Sequence, residues 1–400
     1  MNKILGMQFV VIQNIPSPYR IHLFRVLQQE LNERGVNLHV HFMARGHAER
    51  PIAWRNPDLP FPHTYWRDVG LKTHHWNPAL IFSLLINRKA DYLLVGSSWD
   101  TFTGICASLF ARRKVGILWT EGNTKTPGRL TGMLGCFKRK VMSCYEYVAV
   151  PGQEGIGYVA LHQQRTPRQM PKPVLLPNLI DESRFRVRAM WTNNEIFSAR
   201  KRLGVHTSER LAVCPARFEP VKGLVEFFSK IPVKVLRGWK ILVVGEGTQK
   251  ARFKSVIRDR GLADQIIILN YVPYEEMPIL YAASDLFLLP SVYDSNPLSV
   301  VEAMHSGLPL LLSKQVGNYP EALLAGATGW GFSPFDDEEI RLSSELAFGA
   351  SFSQLQQYGQ AAKEQAEKVW GSESAIREFA DRLGIPKKNN RNALIQNNNS

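Results

Sequence analysis

Two doubly wound α/β units joined by a polar stretch are the fold this sequence predicts, on three observations. Short runs rich in Val, Ile and Leu alternate with helical patterns. The alternation halts from about Asp181 to Ser208 and then restarts. The 400 residues also exceed what one hydrophobic core usually organises, while 44% apolar residues suffice to bury two.

The first set of strands reads Gln8 to Gln13, Val36 to Met43, Tyr92 to Val95, Val115 to Trp119, Tyr147 to Val150 and Val174 to Leu176. Continuous apolar runs of this kind mark strands covered on both faces of a parallel sheet. Between the first two, Ile21, Phe24, Leu27 and Leu31 fall at helical spacing and give the crossover helix an apolar face. The second set reads LAVCP from Leu211, KILVVG from Lys240, QIIILN from Gln265, DLFLLP from Asp285 and LPLLL from Leu308. The polar stretch between the sets is the expected linker. Two such sheets are expected to leave a cleft, with ligands outside the carboxyl ends of the strands. From Ser351 to Leu383 the pattern is helical, and the closing KKNNRNALIQNNNS has the composition of a disordered tail.

The opening MNKILGMQFVVIQN reads as a first strand rather than a signal peptide, and no run reaches the roughly 18 apolar residues of a membrane span. Soluble or peripheral character is therefore expected. Cys106, Cys136, Cys144 and Cys214 show no CxxC spacing and read as plain buried thiols of a reducing cytoplasm. The net charge of +14 predicts an anionic partner: nucleic acid, acidic membrane or a phosphorylated substrate. Basic residues concentrate in ARRK at 111–114 and in GRLTGMLGCFKRKVM, where Arg129, Lys138, Arg139 and Lys140 stand beside Leu130, Met133, Leu134 and Phe137. Such a helix near 129–141 reads as a contact with anionic lipid or as a solvated crossover.

The stretch SVYDSNPLSVVEAMHSGLPLL, 291–311, places one acid, Asp294, before a helix and another, Glu302, inside it. Asn296 then Pro297 predicts an N-cap followed by a first-turn proline, with the helix running from Pro297 to His305. Its amino terminus would be an anion seat, because free N–H groups and the positive dipole end attract phosphate. Earlier, ARFEPVKG sets Arg217 and Lys222 in one strand-to-helix loop, a pair able to neutralise a diphosphate. Gly245 and Gly247 of VVGEG allow close backbone approach at the next turn. Tyr271 and Val272 follow ILN and offer a wall to a planar base.

Taken in order, R217-x4-K222, GEG, ILNYV, ASDLFLLPS, D294-x7-E302, EAMHSGLPLL, VGNYPE and GATGW resemble the family-4 retaining glycosyltransferases of the GT-B fold. QNIPSPYRIHLFRVL resembles the opening of a PYR-containing bacterial subset. The resemblance implies two Rossmann-like domains, at 1–185 and 186–365, a helix at 366–385 packing back on the first, and a tail at 386–400. It also implies a hexosyl transfer from a UDP- or GDP-sugar, used as substrate rather than cofactor, to a lipid-linked saccharide. Arg217, Lys222 and Asp294 are then the catalytic candidates: the two cations on the diphosphate, the acid on the sugar. Gly245, Gly247, Tyr271, Val272, Asn296, Leu298, Ser299 and Glu302 line the donor, with Glu302 on its ribose. Three departures bear on the donor: Asp294 stands where the family has Glu, Pro297 removes an N–H that glycine would supply, and Asn270 stands where Gly is usual.

On the acceptor side the resemblance points to Arg20, Trp99, Asp100 and Glu121. His74 and His75 lack metal-ligand spacing and no DxD motif follows a strand, in keeping with the family's metal independence. The implied setting is the cytoplasm, on the inner face of the plasma membrane, in polysaccharide assembly. Rival readings are a degenerate GT-B protein, an epimerase or hydrolase of the same architecture, and a nonenzymatic binder of anionic membrane or nucleic acid.

Overall fold

The computed structural model describes residues 6–46, 58–70, 74–86, 90–96, 101–125, 132–165 and 170–388. Contacts divide the chain into two compact units, Met1–Leu179 with Ser372–Ser400, and Ile180–Gly371. These boundaries differ from the 185/186 and 365/366 expected from sequence. The short helix Glu182–Phe185 packs in the second unit, with Phe185 against Tyr281, and the helix Phe352–Trp370 also stays there as one piece.

The first unit has strands β1 (Met7–Gln13), β2 (Val36–Phe42), β3 (His63–Tyr65), β4 (Tyr92–Val95), β5 (Val115–Trp119), β6 (Tyr147–Val150) and β7 (Lys172–Leu175). They form a parallel sheet in the order β3-β2-β1-β4-β5-β6-β7, so the connection reverses direction between β1 and β4. The sequence reading passes over β3, whose HTY is too short and too exposed to carry an apolar run. Helices α1 (Pro18–Glu33), α2 (Pro78–Ile86), α3 (Phe102–Ala111), α4 (Gly132–Met142) and α5 (Gln153–Gln163) are the crossovers. One core gathers Leu23, Phe24, Leu27 and Leu31 of α1 with Phe9, Val11 and Leu94 of the sheet. The other packs Leu80, Ala107, Val141 and Val159, from α2 to α5, against Ile12, Leu93 and Val148.

The second unit opens with α6 (Glu182–Phe185), α7 (Val187–Met190) and α8 (Asn193–Arg202). The expected linker is thus helical. A capping box between Thr192 and Glu195 starts α8, and Arg200 ties it to the sheet through Asp285 at 2.6 Å and the Ala283 carbonyl at 2.8 Å. Strands β8 (Arg210–Pro215), β9 (Trp239–Val244), β10 (Ile266–Leu269), β11 (Leu286–Leu289), β12 (Leu310–Ser313) and β13 (Gly329–Phe332) follow, in the order β10-β9-β8-β11-β12-β13. Direction reverses between β8 and β11. The sequence reading has no β13, because GWGF lacks a branched apolar run. Gly329 is required there, since a Cβ would stand 2.0 Å from the Leu310 carbonyl oxygen.

Helices α9 (Leu224–Lys230), α10 (Lys250–Asp259), α11 (Met277–Ala282), α12 (Leu298–His305), α13 (Tyr319–Ala322), α14 (Asp337–Gly349) and α15 (Phe352–Trp370) complete this unit. The last helix, α16 (Ser372–Arg382), packs on α1 in the first unit. Buried Arg34 fastens it, reaching Asp381 at 2.6 Å, Glu30 at 2.7 Å and the Ile385 carbonyl at 2.6 Å. The hydrogen bond from Arg34 holds the Asp381 carboxyl below its ordinary range. Cys144 and Cys214 are buried as expected, but Cys106 is half-buried and Cys136 exposed, because their positions on α3 and α4 turn away from the sheet. Among the described residues no helix is long and apolar enough to cross a membrane.

Candidate active site

Ligands of doubly wound sheets bind beyond the strands' carboxyl ends at the point where strand order reverses. In the second unit that point lies between β8 and β11, and it collects most of the candidates. The loop after β8 carries Arg217, exposed and without an ion pair among the described residues, and then a single 3-10 turn, Pro220–Lys222. Gly223 closes the turn at φ 64°, and a Cβ there would stand 2.4 Å from the Pro290 carbonyl oxygen at the end of β11. Only glycine satisfies both demands, so it sets the two loops side by side.

Across that junction the Lys222 ammonium donates to Asp294 Oδ2, a pair largely withdrawn from solvent. Asp294 is held from behind. Its carbonyl accepts from Gly317 N at 2.9 Å, and it forms an isolated parallel bridge with Val316. The helix begins one residue later than the sequence implies: Pro297, extended at ψ 124°, is the cap, and Asn296 lies buried before it. The cause is Asn318, whose Nδ2 donates to the Pro297 carbonyl at 3.0 Å and fixes the turn from a distant loop. The amides of Leu298 and Ser299, first in α12, have no acceptor among the described residues, and each points from the positive end of the helix.

Glu302 is 4% exposed, and its Oε2 accepts from the Tyr281 hydroxyl at 2.7 Å. Burial, reinforced by the Glu302 charge, pushes the nearby Tyr274 hydroxyl well above its ordinary value. Gly245 and Gly247 prove necessary to the protein itself. A Cβ on Gly245 would stand 2.4 Å from the Ala216 carbonyl oxygen, and on Gly247 2.5 Å from that of Phe218. They let the β9 loop lie against the Arg217 loop, an arrangement latched by Glu219 on Thr248 N and Oγ1 at 3.2 and 2.9 Å. Tyr271 is exposed and Val272 half-buried after β10, while Asn270 accepts from Lys250.

In the first unit, Arg20, Glu121 and Asn178 meet beyond the ends of β1, β5 and β7. Arg20 donates to Glu121 Oε1 at 2.8 Å and Asn178 Oδ1 at 3.1 Å, and its guanidinium lies 3.7 Å from the Trp119 ring centroid. Burial lowers the Arg20 pKa from its ordinary value, and the Glu121 carboxylate opposes that shift. This arginine is committed to its neighbours, whereas Glu121 stays 43% exposed. Trp99, Asp100, Arg129 and Leu130 lie outside the described residues, as does most of the tail from 386. Sequence reasoning misses Tyr281, Trp119 and Asn178, and quotes Asn318 within VGNYPE without giving it a role, since each is brought to its partner by the fold. Among the described residues, no three His, Cys, Asp or Glu side chains gather where a metal ion could sit.

Residues 195–365 match the family model described as glycosyl transferases group 1. The chain is 35% identical over 95 residues to the 2-deoxystreptamine glucosyltransferase of Streptomyces kanamyceticus, covering 22% of this chain and 24% of that one. It is 29% identical over 156 residues to the N-acetyl-alpha-D-glucosaminyl L-malate synthase of Bacillus anthracis, covering 38% of each. The chain thus spans well under half the length of these two curated relatives. In fold it is similar to Anabaena HepE, solved in complex with UDP, at a TM-score of 0.73 and 15% identity over 94% of this chain and 100% of that one. The two Rossmann-like units are those of the GT-B fold, and the match to the group 1 glycosyl transferases lies within the second of them.

Proposed function

We propose that this protein is a retaining glycosyltransferase that moves a hexosyl group from a UDP- or GDP-sugar to a lipid-linked saccharide in cell-surface polysaccharide assembly. One observation carries the reading: at a single topological switch point, the exposed Arg217 stands in a loop fastened to the strand that leads to two free amides opening α12. As the bond between sugar and diphosphate breaks, negative charge grows on the departing phosphate oxygens. Arg217 offers a planar fork, Lys222 a point charge, and Leu298 and Ser299 fixed N–H dipoles. These groups do the electrostatic work a cation would otherwise do. The diphosphate shares Lys222 with Asp294, which turns its carboxylate to the sugar hydroxyls.

Glu302 meets the ribose, held in place by Tyr281, and Tyr271 flanks the base. In the first unit, Glu121, with one oxygen fixed by Arg20 and Asn178, binds a hydroxyl of the acceptor. UDP in the HepE complex supports a nucleotide donor. The basic α4 supports a peripheral position on the cytoplasmic face of an anionic membrane, and nucleic acid is no partner in this reading.

Thermal-shift measurement against UDP, GDP, ADP, dTDP and CMP without metal tests it. One nucleoside diphosphate should stabilise the protein selectively, Arg217→Ala should remove the shift, and Glu302→Gln should weaken it. Absence of stabilisation by every nucleotide would refute the donor site. The Lys222–Asp294 pair favours one other reading, a degenerate protein that binds donor without transfer, and donor consumption by the wild type separates the two.

A further inference from the structure

We infer that the outward face of α2, α3 and α4 together, rather than α4 alone, is a docking surface for an anionic lipid bilayer. The inference deepens the membrane reading above and needs no assumption about the sugar transferred. These helices are the successive crossovers from β3 to β6, and all bury their inner sides in one core against the same face of the sheet. Their outer sides therefore make one continuous layer, with α3 touching both α2 and α4.

A crossover helix ordinarily turns polar residues outward. On the other face of this sheet α1 does so, exposing Arg25, Gln29 and Glu33, and α16 exposes Glu373, Arg377 and Glu378. The α2–α4 layer reverses the rule. In α3 the outward positions Phe102, Ile105, Cys106 and Leu109 repeat at helical spacing, with Phe102 and Leu109 each 64% exposed. In α4 the same spacing gives Met133, Cys136 and Phe137, Met133 being 91% exposed, and ends in exposed Lys140. In α2, Phe82 is 63% and Ile86 66% exposed. Large apolar side chains so displayed signal a missing partner.

Charge identifies the partner. No Asp or Glu occurs in α2, α3 or α4. Arg112 and Arg113 follow α3 directly and, like Lys140, are exposed and make no ion pair among the described residues. A second copy of the chain would oppose like charges with no acid between them. A bilayer with anionic headgroups accepts both features, apolar side chains below the headgroups and cations among them.

The test is flotation of the full chain with phosphatidylcholine vesicles and with mixed phosphatidylcholine–phosphatidylglycerol vesicles. Binding is expected to the mixed vesicles only and should weaken with salt. Arg112→Ala and Arg113→Ala should each lower the partition coefficient about fivefold. Leu109→Asp and Met133→Asp, at exposed positions, should abolish it while leaving the melting temperature and the nucleotide-induced shift unchanged. The proposal is overturned if the wild type stays unbound, if the Asp variants float as well as wild type, or if sedimentation shows a dimer that these substitutions dissociate while vesicles go unbound. Because flotation uses no sugar donor, its failure and the failure of the transfer reading are separate results.

Discussion

The two units place an arginine at the carboxyl edge of a doubly wound sheet, yet the arginines are opposites. Arg217 is exposed and makes no ion pair among the described residues, in a loop that also carries Lys222. Arg20 is stacked on Trp119 and bonded to Glu121 and Asn178. An uncommitted cation keeps its charge for a ligand; a committed one spends it holding a carboxylate in position. The same residue type in the same topological place is thus left open to solvent in one unit, where the proposed reading puts the donor diphosphate, and orients an acid in the other.

Exchanging these properties by mutation should have unequal consequences. The largest effect is expected for Arg217→Ala, a fall in kcat of about 10²–10³ by analogy with loss of one transition-state donor. Its melting temperature should not change, because no hydrogen bond or ion pair joins that guanidinium to any of the described residues. Arg20→Ala should do the reverse, lowering unfolding free energy by about 1–2 kcal/mol in denaturant titration, since the stack on Trp119 and the donor shared by Asn178 and the partly exposed Glu121 are lost. Arg20→Lys should not restore it, as an ammonium cannot reproduce the stacked fork. If Arg20→Ala leaves stability unchanged and removes only turnover, the contrast between the arginines collapses.

Next comes Gly223→Ala, expected to cost about 1–2 kcal/mol from the left-handed backbone, with nucleotide binding weakened as the Lys222 loop is pushed from the Pro290 carbonyl. A normal melting curve would show that the loop relaxes. The smallest effect concerns acid. His162, buried on α5 against Tyr158, is pushed down to about 4 by burial and then by the charges of Lys138, Arg139 and Arg165. Its folded-state pKa lies below its unfolded value near 6.5, so the unfolded chain binds the extra proton. The contribution is complete above about pH 6.5 and is lost as pH falls toward 4. His162→Phe should flatten that slope, and hydrogen exchange should locate the loss in the first unit.

Much of this was legible in residue order. Apolar runs located eleven of the strands, including all of β8 to β12, because a strand covered on both faces must be apolar throughout. The Arg217, Lys222 and Asp294 loops were legible for the related reason that a strand's end fixes where its loop begins. What failed was short or exposed, such as β3 and β13, or depended on a remote partner. Pro297 rather than Asn296 caps α12 because Asn318, twenty-one residues on, holds its carbonyl.

The sequence by itself determined two sheets, their strands apart from β3 and β13, and the loops proposed to hold the donor, since hydrophobic period and turn chemistry are local properties of the chain. Only the tertiary structure decided which charges are spent and which are free: that Lys222 neutralises Asp294, that Arg20 serves Glu121, that Glu302 is held by Tyr281, and that three apolar helix faces form one surface. Such pairings join residues far apart in the chain, and electrostatic and apolar energies depend on distance in space, which the order of residues does not state.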